Sequence, residues 1–197
     1  MKATIKFSVY MLIMFLGISV FAQKKVQTIE VEHIINAPAE KVWKVIAEDF
    51  DKISDSHPKL VSSDFLNGAT ETVVGCSRVC NYNEEGSKFL KETVTQIDNE
   101  SMTLGIDIFA VQGLPINPEY STATQKIVAI DANTSKMIMT VNYRTKPAFL
   151  GGLAKGGFKK GIRDYGIAIE HHIITGESVT KENFKAAKKK YCEATKS

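Results

Sequence analysis

The sequence predicts an α+β domain: a curved seven-stranded antiparallel sheet wrapped around one long C-terminal helix, with two short helices after the first strand. Three observations carry this. Segments fit for strands recur along most of the chain, polar or glycine-rich turns join them, and helical spacing of apolar residues appears after the first strand and again over residues 149–175. Such a sheet cannot bury both faces by itself, so one face must pack on helices. A sheet bent around one helix without filling the space leaves a cavity of the kind that holds small apolar ligands.

The elements follow in order. Residues 26–36 alternate Val26, Thr28, Glu30 and Glu32 against Gln27, Ile29, Val31 and His33, which predicts the first strand. Pro38 suits the first turn of a helix carrying Val42, Val45 and Ile46 on one side. A second short helix, about Phe50 to Ser54, ends before His57-Pro58, because a residue preceding proline disfavours helical backbone. Strands are expected at about 59–67, 71–82, 87–98, 101–110, 122–132 and 136–145. Residues 111–121 hold Pro115 and Pro118 and read as a longer loop. Pro147 ends the last strand.

Leu150, Leu153, Phe158, Ile162, Tyr165, Ile169 and Ile173 then recur at helical spacing. This helix contains six glycines, each costing roughly 1 kcal/mol relative to alanine. Gly156-Gly157 is expected to break it into a short and a long piece, and Gly157 and Gly161 to permit close approach to the sheet. Residues 177–197 read as a separate, basic amphipathic helix with Thr180 as its N-cap.

The first 22 residues read as a signal peptide rather than as part of the fold. Lys2 and Lys6 flank its start, an apolar run spans Phe7 to Phe21, and Ala22 with Val20 offers a small-residue cleavage site. The run is shorter than the roughly 20 residues of a membrane span. The expected product is an exported chain, periplasmic or secreted, with one domain over 26–176 and the basic tail over 177–197. Removing residues 1–22 takes two lysines and no acid, so the formal charge falls from +3 to +1. That leaves no electrostatic footprint for nucleic acid. The tail lysines Lys185, Lys188, Lys189 and Lys190 read as a solvated helix face; contact with an anionic membrane surface is the other reading.

Cys76, Cys80 and Cys192 match no zinc pattern. Four positions along one strand put Cys76 and Cys80 about 13 Å apart, beyond the ~7 Å that a disulfide can bridge. No P-loop, dinucleotide fingerprint or Ser-His-Asp order is present. No metal or cofactor is expected.

The stretch "VGCSRVCNYNEEGSKFLKET", residues 73–92, reads as a hairpin. "NEEG" suits a type I turn closed by a left-handed glycine bulge, which pairs Asn83 with Ser87. Counting outward sets Arg78 opposite Glu92, Cys80 opposite Leu90 and Cys76 opposite Val94, with Cβ atoms about 5 Å apart on the inner face. Ser77, Asn81, Lys91, Thr93 and Thr95 fall on the solvent side. A loop one residue longer would set Lys91 against Arg78 instead. An inward Arg–Glu pair has two readings: an ion pair that fixes register with little net stabilisation, or the polar anchor of a ligand cavity.

"VWKVIAEDFDKISDSHPKLVSS", "VGCSRVC", "FLKETVTQID" and "GLPINPEYSTATQKIVAI" together resemble the START-like (SRPBCC, helix-grip) superfamily, in its polyketide cyclase/dehydrase-like branch. The matching features are Trp43, Asp49-Phe50, His57-Pro58, Gly75 with Arg78, Glu92, and the loop from Gly113 to Tyr120. The same hairpin is similar to that of plant lachrymatory-factor synthases, at Gly75-Cys76, Arg78, Cys80, Lys91 and Glu92. In those enzymes the Arg and Glu are implicated in rearranging a small sulfenic acid. The resemblance therefore implies cavity placement of Arg78 and Glu92, but not that substrate.

The resulting expectation is binding of a small hydrophobic molecule, lipid-, polyketide- or isoprenoid-like. Arg78 and Glu92 would anchor it, with Cys80, Leu90, Tyr143, Phe158 and Tyr165 as walls. The alternative is a cyclase, dehydratase or isomerase in which Glu92 moves a proton and Arg78 stabilises negative charge. A third reading makes the chain an envelope-associated interaction protein acting through its tail. Beside these, His57 reads as a loop residue at the rim, Trp43 as core, and His171-His172 as a pair pointing too far apart to chelate. Tyr120 joins Tyr143 and Tyr165 as a candidate hydroxyl for the cavity.

Overall fold

A computed structural model describes residues 26–194; the expected signal peptide and its cleavage site lie outside the described residues. The chain runs β1 (Gln27–Ile35), then α1 (Ala39–Trp43), which continues as a wider turn over Lys44–Glu48, then a tight helical turn over Phe50–Ser56. Next come β2 (Ser62–Phe65), β3 (Ser77–Asn81), β4 (Phe89–Asp98), β5 (Thr103–Gln112), β6 (Thr122–Ala129) and β7 (Ser135–Tyr143). Helices α2 (Gly151–Thr175) and α3 (Phe184–Ala194) complete it. The seven strands form one sheet in the order β1-β7-β6-β5-β4-β3-β2, with every pairing antiparallel. This is the expected helix-grip architecture.

Alternation decides which face is inside. On β1 the side chains of Ile29, Val31, His33 and Ile35 are buried while Thr28, Glu30, Glu32 and Ile34 are exposed. The inner face packs on α1 and the wider turn that continues it (Val42, Trp43, Ile46) and on α2 (Ile162, Tyr165, Ile169) in one core. The bend of the sheet comes from two irregularities between β4 and β5, at Lys91/Glu92 and at Val94/Gln96. At the first, Lys91 faces Ala110 and Glu92 faces Ile108, so Phe109 is squeezed outward and exposed. An extra residue in one strand kinks and twists the ladder.

Four expectations need correction. The strand expected at 71–82 starts only at Ser77, because Gly75 turns the chain with φ of 91° and Val73 and Val74 are left exposed. The strand expected at 59–67 is confined to Ser62–Phe65. Helix α2 runs unbroken through Gly156-Gly157. The burial of Ile162, Tyr165 and Ile169 outweighs the low helix propensity of glycine. Close approach to the sheet occurs at Gly166, not at Gly157 or Gly161. A Cβ on Gly166 would lie 2.3 Å from the His33 ring, whereas one on Gly157 would meet nothing within 4 Å.

The tail forms the expected helix. Thr180 Oγ1 accepts from the N–H of Glu182 and Asn183, and the Phe184 N–H donates to the Thr180 carbonyl. It packs on the domain: Val179 and Ala187 are buried, and Tyr191 lies against His33 with ring centroids 5.4 Å apart. Lys188 and Lys160 both reach Asp164 of α2, at 2.5 and 2.6 Å. No helix among the described residues is long and apolar enough to cross a membrane.

Candidate functional site

Between the bent sheet and α2 lies a cavity of about 500 Å³. The sheet side supplies Leu90 and Ile108 beside Ile106, Met139 and Val141, and the helix supplies Phe158 and Ile162. Gly157 and Gly161 line the helix wall, where any larger side chain would project into the space. The glycines that α2 carries at a cost in helix propensity thus leave room for the cavity.

The hairpin register is the expected one: Arg78 pairs with Glu92, Cys80 with Leu90 and Asn81 with Phe89. The Asn83 amide donates to Ser87 Oγ, and Gly86 takes a left-handed φ of 65°. Arg78 and Glu92 consequently point inward, 4% and 9% exposed. The Arg78 Nε–H donates to Glu92 Oε2 at 2.7 Å, and Nη2 approaches the same oxygen at 2.6 Å. Nη1 donates to the Phe50 carbonyl, and the guanidinium lies 3.7 Å from the centre of the Phe50 ring. The turn over Phe50–Ser56 thereby caps the arginine from the side opposite the carboxylate. Cys80 Sγ sits 3.8 Å from the same Glu92 oxygen.

Desolvation governs the other titratable groups of the lining. Burial opposes the charge on Arg78, but the adjacent Glu92 carboxylate outweighs it and holds the guanidinium firmly protonated. Burial pushes the Cys80 thiol up to about 12, against the pull of Arg78. It raises the Tyr82 and Tyr165 phenols as well. His57 is pushed down to about 3 by burial first, then by the positive charges of Lys59 and Arg78. Its Nδ1 accepts from the Lys59 N–H, and its ring packs on Tyr165 and Tyr82, at 5.3 and 6.5 Å between centroids. At neutral pH the histidine, phenols and thiol are therefore uncharged. The buried charge in the lining is one arginine neutralised by one glutamate, with Lys59 exposed.

Arg78, Glu92, Cys80, Leu90, Phe158 and Tyr165 all line the cavity, and so does His57. Tyr143 does not. It stands behind Phe158, with ring centroids 4.3 Å apart, and its hydroxyl donates to the Gly151 carbonyl at 2.7 Å. Tyr120 is likewise outside, under the guanidinium of Arg144. Trp43 is core, its indole N–H donating to Asn99 Oδ1 at 3.0 Å. His171 and His172 both turn toward Glu177, and no cluster of three or more His, Cys, Asp or Glu residues among the described residues is placed to hold a metal ion.

Phe50, Tyr82 and Gln125 are among the residues of the site and its surroundings that the sequence analysis did not assign to it. Phe50 was visible only as part of a motif, and its contact with Arg78 spans 28 positions. Tyr82 continues the inward series Cys76, Arg78, Cys80, and that alternation places it in the lining. Gln125 lies between Ala123 and Ile127 on β6, and that alternation alone would have set it inward.

A sheet gripping one long helix around an apolar cavity defines the START-like, helix-grip class of proteins. The chain belongs to the polyketide cyclase/dehydrase and lipid transport family, whose profile matches residues 26–167. No curated protein matches the chain. Among solved structures it is similar to Ara h 8.0201, with TM-score 0.62 at 22% identity over 77% of this chain and 99% of that one. It is also similar to a protein of Thermobifida fusca, with TM-score 0.60 at 20% identity over 74% and 92%. Norcoclaurine synthase of Thalictrum flavum, solved with dopamine and hydroxybenzaldehyde, gives TM-score 0.57 at 19% identity over 78% and 90%. At these identities the likeness is one of fold. Family and fold together support hydrophobic ligand binding as the general role.

Proposed function

We propose that the protein binds one small, largely apolar molecule, lipid-, polyketide- or isoprenoid-like, between the sheet and α2, and that it does so after export. The observation that carries this reading is the apolar cavity of about 500 Å³ containing a single self-neutralised ion pair. Its size is that of a site for a ligand of drug-like dimensions. Burying such a ligand's apolar surface contributes roughly 25 cal/mol per Å² before the costs of association. The export half of the proposal rests on Lys2, Lys6, the apolar run to Phe21 and Ala22.

Native mass spectrometry of the protein purified from its own envelope tests both halves. The expected result is a chain starting near Gln23 with an extra mass that is lost on denaturation. A full-length chain overturns export. Failure to take up the neutral dye nile red, together with a bare native mass, overturns binding.

A second reading has its own support. The contacts of the Glu92 carboxylate fall on Oε2, from Arg78 and Cys80, which leaves Oε1 as an unengaged base in an apolar site. In a cyclase, dehydratase or isomerase, Oε1 would take a proton while Arg78 offsets the charge that develops. Glu92→Gln separates the two readings. A carrier keeps most of its affinity, whereas an enzyme keeps binding and loses turnover.

A further inference from the structure

Arg78 is the obvious handle for an anionic guest, yet its charge is already matched by Glu92 and three of its five N–H donors are engaged. Nε and Nη2 meet Glu92, Nη1 meets the Phe50 carbonyl, and the Phe50 ring covers a face of the guanidinium. A carboxylate reaching it would have to displace Glu92 or share a cation that is already neutralised. The other ionisable groups of the inner lining, His57, Tyr82, Tyr165 and Cys80, offer no positive charge at neutral pH. Burying an unpaired carboxylate there is unfavourable.

Other polar atoms of the same lining lack partners. The Tyr165 hydroxyl and the Gln125 side-chain oxygen are buried without any hydrogen bond, on residues 5% and 3% exposed. Buried polar atoms are nearly always satisfied. Here two that are not come from opposite walls, Gln125 from β6 and Tyr165 from α2, and both residues line the cavity. Glu92 Oε1 adds a third acceptor. An amide oxygen and a carboxylate oxygen that only accept, beside a phenol that can donate or accept, are matched by a hydroxyl, which does both. With Arg78 and Glu92 cancelling, nothing in the lining compensates an ammonium either.

We infer that the natural guest is an uncharged apolar molecule bearing a hydroxyl, and that Gln125 and Tyr165, rather than Arg78, receive that hydroxyl. This deepens the binding reading and rests on it. Lys59 is the exposed cation of the lining, so it is the one side chain through which an acid could be held at the mouth.

Displacement of nile red by decanol, decanoate and methyl decyl ether tests the inference, because the three share an alkyl chain and differ in polar group. Decanol is expected to displace the dye at about tenfold lower concentration than either competitor, in the wild type and in Lys59→Gln. In the Gln125→Leu, Tyr165→Phe double variant, decanol should fall to within about twofold of the ether. The ether can lose at most the one bond its oxygen accepts from Tyr165, so its displacement should change by no more than about threefold, which shows that the cavity is intact. If the double variant does not fold, the wild-type ranking still decides. Decanoate equal to or better than decanol overturns the inference while the binding reading stands. An ether as effective as decanol in the wild type does the same. Absence of nile red binding overturns both.

Discussion

Arg78 and Glu92 occupy directly opposed positions on β3 and β4, and their side chains close on each other inside the sheet at 2.6 Å. The pair is both the register mark of the hairpin and the polar floor of the cavity. Breaking it by one substitution leaves a buried charge without its counterion. Arg78→Met or Glu92→Leu alone should cost about 3–5 kcal/mol, and the two together far less. Urea denaturation of the three variants reads this directly. Single variants within about 1 kcal/mol of wild type would show that the pair carries no structural weight.

His57 gives the fold a dependence on acid. Burial lowers its pKa to about 3 in the folded chain from an ordinary 6.5, so the unfolded state binds more protons between those limits. Its contribution to stability is complete above pH 6.5 and is lost as pH falls from there toward 3. His57→Gln should flatten this part of the stability–pH profile. An unchanged slope would place the acid sensitivity elsewhere.

The glycines of α2 divide into two kinds. Gly166 meets the His33 ring, which Tyr191 backs from its own side, so Gly166→Ala should overpack the contact and cost about 1–3 kcal/mol. At Gly157 an added Cβ meets nothing, so Gly157→Ala should gain up to about 1 kcal/mol through helix propensity. Gly157→Leu should project into the cavity and weaken nile red binding while the fold holds. Thermal unfolding and dye titration check the three variants together.

Asp164 ties the tail to the domain. Its buried carboxylate faces Lys160 and Lys188, and these two ammonium groups outweigh burial and hold it below the usual carboxylate range. Lys188→Met should remove one partly exposed ion pair, worth about 1 kcal/mol. Amides of α3 should then exchange hydrogen about fivefold faster, those of β3 and β4 at unchanged rates. Equal exchange in α3 would mean that the tail's apolar contacts, at Val179 before the helix and Ala187 within it, suffice.

Much of this protein is decided locally. Period-two alternation placed the inward residues of β1. The four residues from Asn83 to Gly86 favour the β3–β4 register that the sheet adopts, with Arg78 opposite Glu92 and both turned inward, over the one that would set Lys91 against Arg78. The apolar spacing over 149–175 marked α2 as the helix to be gripped. Other features belong to the tertiary structure because they join parts of the chain that no local pattern connects. The bulge that expels Phe109 and the second irregularity at Val94/Gln96 interrupt the β4–β5 ladder where the sheet bends. The Phe50 carbonyl and ring, 28 positions from Arg78, occupy the arginine. Packing around Ile162, Tyr165 and Ile169 carries α2 through Gly156-Gly157 against propensity. Tyr143 is drawn out of the lining by the Gly151 carbonyl, and Gln125 is left in it without a partner. Short-range pattern determined which face each residue takes; which of the inward polar atoms are satisfied, and so what the cavity can hold, depends on contacts that exist only once the sheet has closed on its helix.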